Sequence, residues 1–432
     1  MGRLPNSIPL QALIDSGLAQ TPPGRCVWVA LSGGLDSVLL LTLAADACRR
    51  YPRPLHALHV HHGLQADADG FEVHCRRLCS RLGVPLFVER VSVDTTRGQG
   101  LEGAAREARY AAFARRVGAS DCLWLAQHRD DQAETFLLAA LRGSGVRGLA
   151  GMPAVRAWQG RRLVRPLLGV ARAELEAEAA RRGLDWAEDA SNADERIDRN
   201  YLRHRILPGL TARWPHAAAS LSRSAALAGE AEGLLGELAE LDLERLGGDP
   251  ARLPTTGLSA LRPARQRLLL RHVCARSGLP SPPAARLATL LDQLASRRDA
   301  DVRVAWEGVE ARVWRGELYL LAPLPCLPDG WETSWSGKTP LVTPQGSYAV
   351  GLRHRTEATG PLLVRQRQGG ETLRLTGRGS RDLKRLLQEM EVPPWERQRL
   401  LVAWWDKTPV AALDPLSERW LVMASGWRGE SP

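Results

Sequence analysis

Residues 26–37 read Cys26-Val27-Trp28-Val29-Ala30-Leu31-Ser32-Gly33-Gly34-Leu35-Asp36-Ser37. The first six are uncharged and mostly apolar, the pattern of a short strand buried on both faces. Ser32-Gly33-Gly34 then turns the chain tightly into residues 36–50, whose apolar side chains recur at helical spacing. Two glycines let the backbone come close to a phosphate, and amides there and at the helix start point at an anion. Ser32 and Ser37 add hydroxyl donors. No GxxxxGK[ST] occurs, so this is not a Walker A loop. A turn capped by Asp36 would account for an isolated SGG. The whole hexapeptide between an apolar strand and an apolar helix reads better as a phosphate-binding loop.

Working outward, residues 54–60 and 84–93 form further strand-like runs, with a helical stretch at 68–82 between them. An Ala/Arg-rich helix at 101–117, a fourth strand at 122–126 and a helix at 130–141 follow. Such alternation predicts right-handed βαβ crossovers and a Rossmann-like parallel sheet, with ligands at the carboxyl ends of its strands. Residues 151–214 are mixed and polar. Trp214-Pro215 marks a turn into a mainly helical stretch, with helices near 217–246, 263–277 and 284–296. Residues 300–325 alternate as strands, 326–350 read as a linker, and 351–432 as a small α+β domain. The expected division is therefore 1–215, 216–325, a linker at 326–350, and 351–432.

The chain has 432 residues, room for about three domains of roughly 150 each. Hydrophobic residues at 44% and charged residues at 25% exclude a largely disordered chain. Fifty-eight Lys+Arg against 48 Asp+Glu leave a net charge of +10, and Lys338, Lys384 and Lys407 are the only lysines. A surplus of this size suits a polyanion such as nucleic acid, although an arginine-rich coding style would also produce it. The longest strongly apolar stretch, 38–45, is far short of the roughly 20 residues that cross a bilayer. Seven cysteines without a CxxC argue against a disulfide framework and against cysteine-bound zinc or iron–sulfur. A reducing cytoplasm is the expected home. His59, His61 and His62 suggest zinc at first sight, but neighbours on a strand face opposite ways, so they read as pocket-lining groups.

The hexapeptide resembles the PP-loop of the N-type ATP pyrophosphatases, which implies an ATP- and Mg²⁺-binding domain cleaving ATP between its α and β phosphates. Further motifs narrow the acceptor: His59-Val60-His61-His62-Gly63-Leu64, Ala105-Arg106-Glu107-Ala108-Arg109-Tyr110, Gln127-His128-Arg129-Asp130-Asp131-Gln132-Ala133-Glu134, and Arg142-Gly143-Ser144-Gly145. Arg165-Pro166-Leu167, Trp186-Ala187-Glu188-Asp189 and Asp198-Arg199-Asn200-Tyr201-Leu202-Arg203 follow. The set resembles the tRNA(Ile)-lysidine synthetase family, densely over the first 215 residues and more loosely beyond. Arg367-Gln368-Gly369-Gly370-Glu371 and Val392-Pro393-Pro394-Trp395 are similar to that family's last domain.

The resemblance implies ligation of free L-lysine to C2 of the wobble cytidine in the CAU anticodon of an isoleucine tRNA, through an adenylated cytidine. A PP-loop tRNA thiolase is the alternative. The residues invite roles of their own. Asp131 and Glu134, three apart at a helix start, place two carboxylates on one face, where they could hold an ammonium group, complete a Mg²⁺ shell, or only cap the helix. In the family reading they bind the lysine or help deprotonate its amine. Ser32, Gly33, Gly34, Leu35, Asp36, Ser37 and His59 are then the ATP-binding residues, with Asp36 placing Mg²⁺ and Arg106 contacting the α-phosphate or the RNA backbone. Family members often have His where Gln127 stands, which leaves His128 either a participant or an orienting group. Arg199, Arg203, Arg205, Arg374, Arg378, Lys384 and Arg385 are expected to contact tRNA. The oligomeric state is open, with a homodimer among the options.

Overall fold

The computed structural model describes residues 9–63, 68–94, 100–296, 302–322, 327–356 and 360–430. The chain divides into two compact units, Met1–Glu237 and Leu238–Pro432.

In the first unit the elements run α1 (Leu10–Ala19), β1 (Val27–Ala30), α2 (Leu35–Arg50), β2 (Leu55–His61), α3 (Ala68–Leu82), β3 (Leu86–Arg90) and α4 (Gly100–Arg116). Next come β4 (Cys122–Trp124), α5 (Arg129–Leu141), α6 (Val146–Leu149), β5 (Val155–Trp158), β6 (Arg161–Val164) and α7 (Arg172–Arg181). The sheet order is β3-β2-β1-β4-β6-β5. All neighbours are parallel except β5 and β6, an antiparallel hairpin at the edge. The expected parallel sheet is thus present, with an antiparallel edge strand that the polar sequence of 151–164 concealed. Gln159 and Gly160 turn that hairpin with φ of 47° and 75°, the left-handed pair that a two-residue hairpin needs.

Strand β1 is central and buried, and α2 buries eleven of its sixteen residues against the sheet and its neighbours. Leu39, Leu40, Leu41, Leu43 and Trp124 share one core. A central strand followed by a doubly covered helix fixes the intervening loop from both ends. After α7, a 3₁₀ turn (Ala190–Ala193), a helical turn (Asp198–Tyr201) and a π-helical stretch (Leu202–Ile206) return the chain to α5.

The 29-residue helix Ala217–Arg245 leads into the second unit. There helices Pro263–Arg276 and Ala284–Ser296, close to their expected spans, pack with an antiparallel four-stranded sheet built from 252–254, 317–321, 309–314 and 303–306. The C-terminal part holds a five-stranded antiparallel sheet, several two-stranded ribbons and the short helices Leu383–Glu389 and Pro394–Arg397. Residues 327–350 are not a linker. Glu332–Trp335 pairs with Leu362–Arg365, and Trp335, Leu341 and Tyr348 belong to the C-terminal core. Their Pro/Gly-rich composition masked strands of only three or four residues.

Candidate active site

The Ser37 hydroxyl organises the loop between β1 and α2. Its Oγ accepts the amides of Ser32 at 3.1 Å and Gly33 at 3.2 Å, and donates to the Gly34 carbonyl at 3.0 Å. Gly33 has φ +94°, and a Cβ there would meet Cys75 Sγ at 3.3 Å and Phe71 at 3.4 Å. Only glycine suits both the backbone and the space. The Ala187 amide, on the return segment, donates to the Gly33 carbonyl at 3.0 Å. Gly34 caps α2 in an extended conformation, so the first helical amides, at Leu35 and Asp36, point outward as at any helix start.

Facing that loop, α5 begins with a capping box. Asp131 Oδ2 accepts the His128 amide at 3.0 Å while His128 Nδ1 accepts the Asp130 amide at 3.3 Å. The His128 side chain is fully buried, and Nε2 lies 3.5 Å from Asp131 Oδ2 and 3.7 Å from Asp36 Oδ2. Neither His128 Nε2 nor Asp36 Oδ1 has a hydrogen-bond partner, though both are buried. Burial raises the Asp36 carboxyl above its ordinary value, against the lowering charges of His128 and Arg172. Burial pulls the His128 imidazolium down, but the Asp130 carboxylate beside Nδ1 and the charges of Asp131 and Asp36 outweigh this, so the net direction is up. Arg172 Nη1 lies 3.6 Å from Asp36 Oδ2.

Glu134 stands elsewhere than expected. It is fully buried, and Arg203 Nε donates to its Oε1 and Arg199 Nε to its Oε2, each at 2.7 Å. Nη2 of both arginines also reaches Asp131 Oδ1, at 3.3 Å from Arg199 and 3.0 Å from Arg203. Two of the arginines expected on RNA are therefore clamps on α5, and Glu134 is enclosed by cations. Arg205, exposed, pairs with Glu195 at 2.8 Å. In the second unit Arg374, Arg378, Lys384 and Arg385 are exposed on the ribbon Thr372–Asp382 and the start of the following helix.

His59 Nδ1 donates to the Leu31 carbonyl at 2.8 Å, bracing the end of β1, and burial holds its pKa below the ordinary value. Arg106 is exposed on α4 with its guanidinium 4.8 Å from the Tyr110 ring centroid. His61, Asp69 and Glu72 come within metal-ligand spacing, but Arg76 and Arg90 already neutralise Glu72. Sequence reasoning passed over Arg172 and the clamping of Asp131, because neither has a local signature. Asn200 was hidden in the same way: buried, it donates to the carbonyls of Ser191 and Asp194 and fixes the return segment.

Three family models match in order: a PP-loop domain over residues 9–210, a TilS substrate binding domain over 253–319 and a TilS substrate C-terminal domain over 362–420. The tRNA(Ile)-lysidine synthase of Xanthomonas campestris pv. campestris is 43% identical over 431 residues, 96% of this chain and 98% of that protein. That of Pseudomonas aeruginosa is 45% identical over 422 residues, 91% of this chain and 90% of that protein. A solved U34-tRNA thiolase from Methanococcus maripaludis, 16% identical with a TM-score of 0.40 over 50% of this chain and 77% of that one, is too remote to argue from. The thiolase alternative is set aside. The helix, loop and capping geometry around Asp36 thus lies in a chain that belongs to the tRNA(Ile)-lysidine synthase family.

Proposed function

We infer that this chain ligates free L-lysine to C2 of the wobble cytidine in the CAU anticodon of an isoleucine tRNA, converting ATP to AMP and pyrophosphate. The observation that carries the reading is the convergence of Asp36 and Asp131 on His128, at the starts of α2 and α5, in a chain that matches a lysidine synthase over 96% of its residues.

The cytidine C2 oxygen attacks the α-phosphate, and lysine's ε-amine then displaces AMP from C2. The outward amides of Leu35 and Asp36 and the Ser32 hydroxyl bind the nucleotide phosphates, pre-aligned where charge develops. Asp36 Oδ1, buried and without a partner, fits a divalent cation; bound Mg²⁺ would neutralise charge on the departing pyrophosphate. Asp131, partly accessible beside His128, takes the lysine ammonium and then its proton, since only the free amine is a nucleophile. Glu134 passes from the lysine-binding pair to a supporting place: its two occupied oxygens hold Arg199 and Arg203, which in turn fix Asp131. Lysidine pairs with A where cytidine pairs with G, so the product changes codon reading and charging from methionine to isoleucine.

Arg205, Arg374, Arg378, Lys384 and Arg385 are assigned to tRNA phosphates, and Arg199 and Arg203 are withdrawn from that role. The cytoplasm is the proposed compartment; among the described residues no helix is long and apolar enough to cross a membrane. The test is incubation with ATP, labelled lysine and unmodified CAU-anticodon tRNA. Label should enter the tRNA with one AMP released per lysine joined. Without label incorporation, the reading fails.

A further inference from the structure

No residue of the elbow at Trp214-Pro215 belongs to the site around Asp36 and Asp131. The helix Leu207–Arg213 stops there because a proline disfavours helical backbone in the residue before it, and Trp214 is extended at φ −129° and ψ 93°. Backbone bonds hold the turn. The Trp214 amide donates to the Leu210 carbonyl at 2.7 Å, and the Ala217 amide to the Trp214 carbonyl at 2.9 Å. Between the two helices lies a pocket of about 440 Å³, within the range of small-ligand sites. Leu210, Trp214, Pro215 and Leu221 make its apolar walls, and His216 and Ser220 add polar atoms. Trp214 is 58% exposed, so its ring is presented to solvent rather than packed in the core.

The surrounding charge selects the occupant. Residues 199–229 contain Arg199, Arg203, Arg205, Arg213 and Arg223 and no Asp or Glu. Arg199 and Arg203 are paired with Asp131 and Glu134, and Arg205 with Glu195. Arg213 has no carboxylate partner among the described residues, and its guanidinium lies 5.7 Å from the Trp214 ring centroid. Further along the long helix the sign reverses: residues 224–244 contain Glu230, Glu232, Glu237, Glu240, Asp242 and Glu244 and no Lys or Arg. A polyanion is therefore drawn to the elbow and repelled a few turns later. An aromatic wall, polar edges and an adjacent free cation match the π-face, hydrogen-bonding edge and phosphate of one nucleotide. Arg203, which steadies Asp131, lies back along the same helical run, about 16 Å away at 1.5 Å per residue.

We propose that the Trp214 pocket takes an unpaired base of the anticodon loop, a neighbour of the reacting cytidine, with Arg213 on its phosphate. This rests on the proposed function and deepens it. Holding one loop base out of the stack sets the register of the loop, so that the wobble cytidine and not its neighbour reaches the activated phosphate.

The experiment measures binding of a CAU anticodon stem–loop RNA to the full chain by fluorescence anisotropy at several salt concentrations. Wild type is compared with Trp214→Ala, Trp214→Phe and Arg213→Gln, each checked for unchanged thermal midpoint. The RNA is also made with an abasic site at each loop position in turn, the wobble cytidine excepted. Trp214→Ala is expected to weaken the intact RNA about tenfold, and Trp214→Phe to stay within about threefold of wild type. At one loop position the abasic RNA should lose about tenfold on wild type and nothing further on Trp214→Ala, because both changes remove the same contact. Arg213→Gln should make the salt slope shallower by about one. Losses that simply add at every position, or Trp214→Ala within about twofold of wild type, overturn the base site, leave the pocket to an apolar peptide, and let the functional reading stand. Wild-type protein that does not bind the stem–loop overturns both.

Discussion

Asp36 Oδ1 is buried without a hydrogen-bond partner, and burial raises its carboxyl pKa. The folded state therefore prefers the protonated form: whatever stability the group contributes is present below its unfolded value and lost as pH rises through the folded one. At neutral pH the ionised carboxylate carries the cost of its burial, offset in part by His128 and Arg172. Asp36→Asn should accordingly raise the thermal midpoint by roughly 1–3 °C near pH 7.5 while abolishing AMP release. A lowered midpoint would show that Asp36 is a structural cap instead. His128 is displaced upward on balance, so its stabilising contribution is full below about 6.5 and fades as pH rises through the higher folded value. The stability gap between wild type and His128→Asn should be widest in acid and narrow above neutrality. A gap independent of pH between about 5 and 8 would remove the imidazolium from this account.

Helix α5 is held at its start by its own capping box and from outside by Arg199 and Arg203. Breaking one side of a buried ion pair leaves the other uncompensated, at about 3–5 kcal/mol. Glu134→Gln should therefore lower unfolding free energy by roughly 3 kcal/mol and raise the KM for lysine, because Asp131 loses its brace. A variant as stable as wild type with only its lysine step impaired would return Glu134 to the ligand. The same element shows where sequence reading stops. Ser32–Ser37 was legible because its strand, turn, hydroxyls and helix are contiguous. The clamp was not, since Arg199 and Arg203 lie 65 and 69 residues from Glu134, and an exposed-looking Arg-rich run reads equally well as an RNA contact. Asp131 and Glu134 were found as a pair, but only their surroundings separate one facing Asp36 from one enclosed by cations. The strands in 327–350 were lost for a similar reason, being too short to alternate visibly.

Across the whole molecule the charge of +10 finds an outlet in arginines left exposed, among them Arg374, Arg378 and Arg385 on one ribbon and its adjoining helix. Each phosphate neutralised releases counterions, so tRNA affinity should fall steeply with salt. Replacing those three with Gln should flatten that dependence by about two to three in log–log slope and leave ATP affinity unchanged. An unaltered slope would place the RNA elsewhere. One further property follows from the path of the chain through its first unit. The amide that closes the Ser32–Ser37 loop belongs to Ala187, and the guanidiniums that steady Asp131 belong to Arg199 and Arg203. All of the sheet's strands and helices α1–α5 precede them. During synthesis the sheet can thus assemble while the proposed ATP site is still unfinished. A nascent chain that has emerged only through α7 has a fold but not yet a competent site, and it gains the capacity to spend nucleotide only as the last stretch before the long helix arrives.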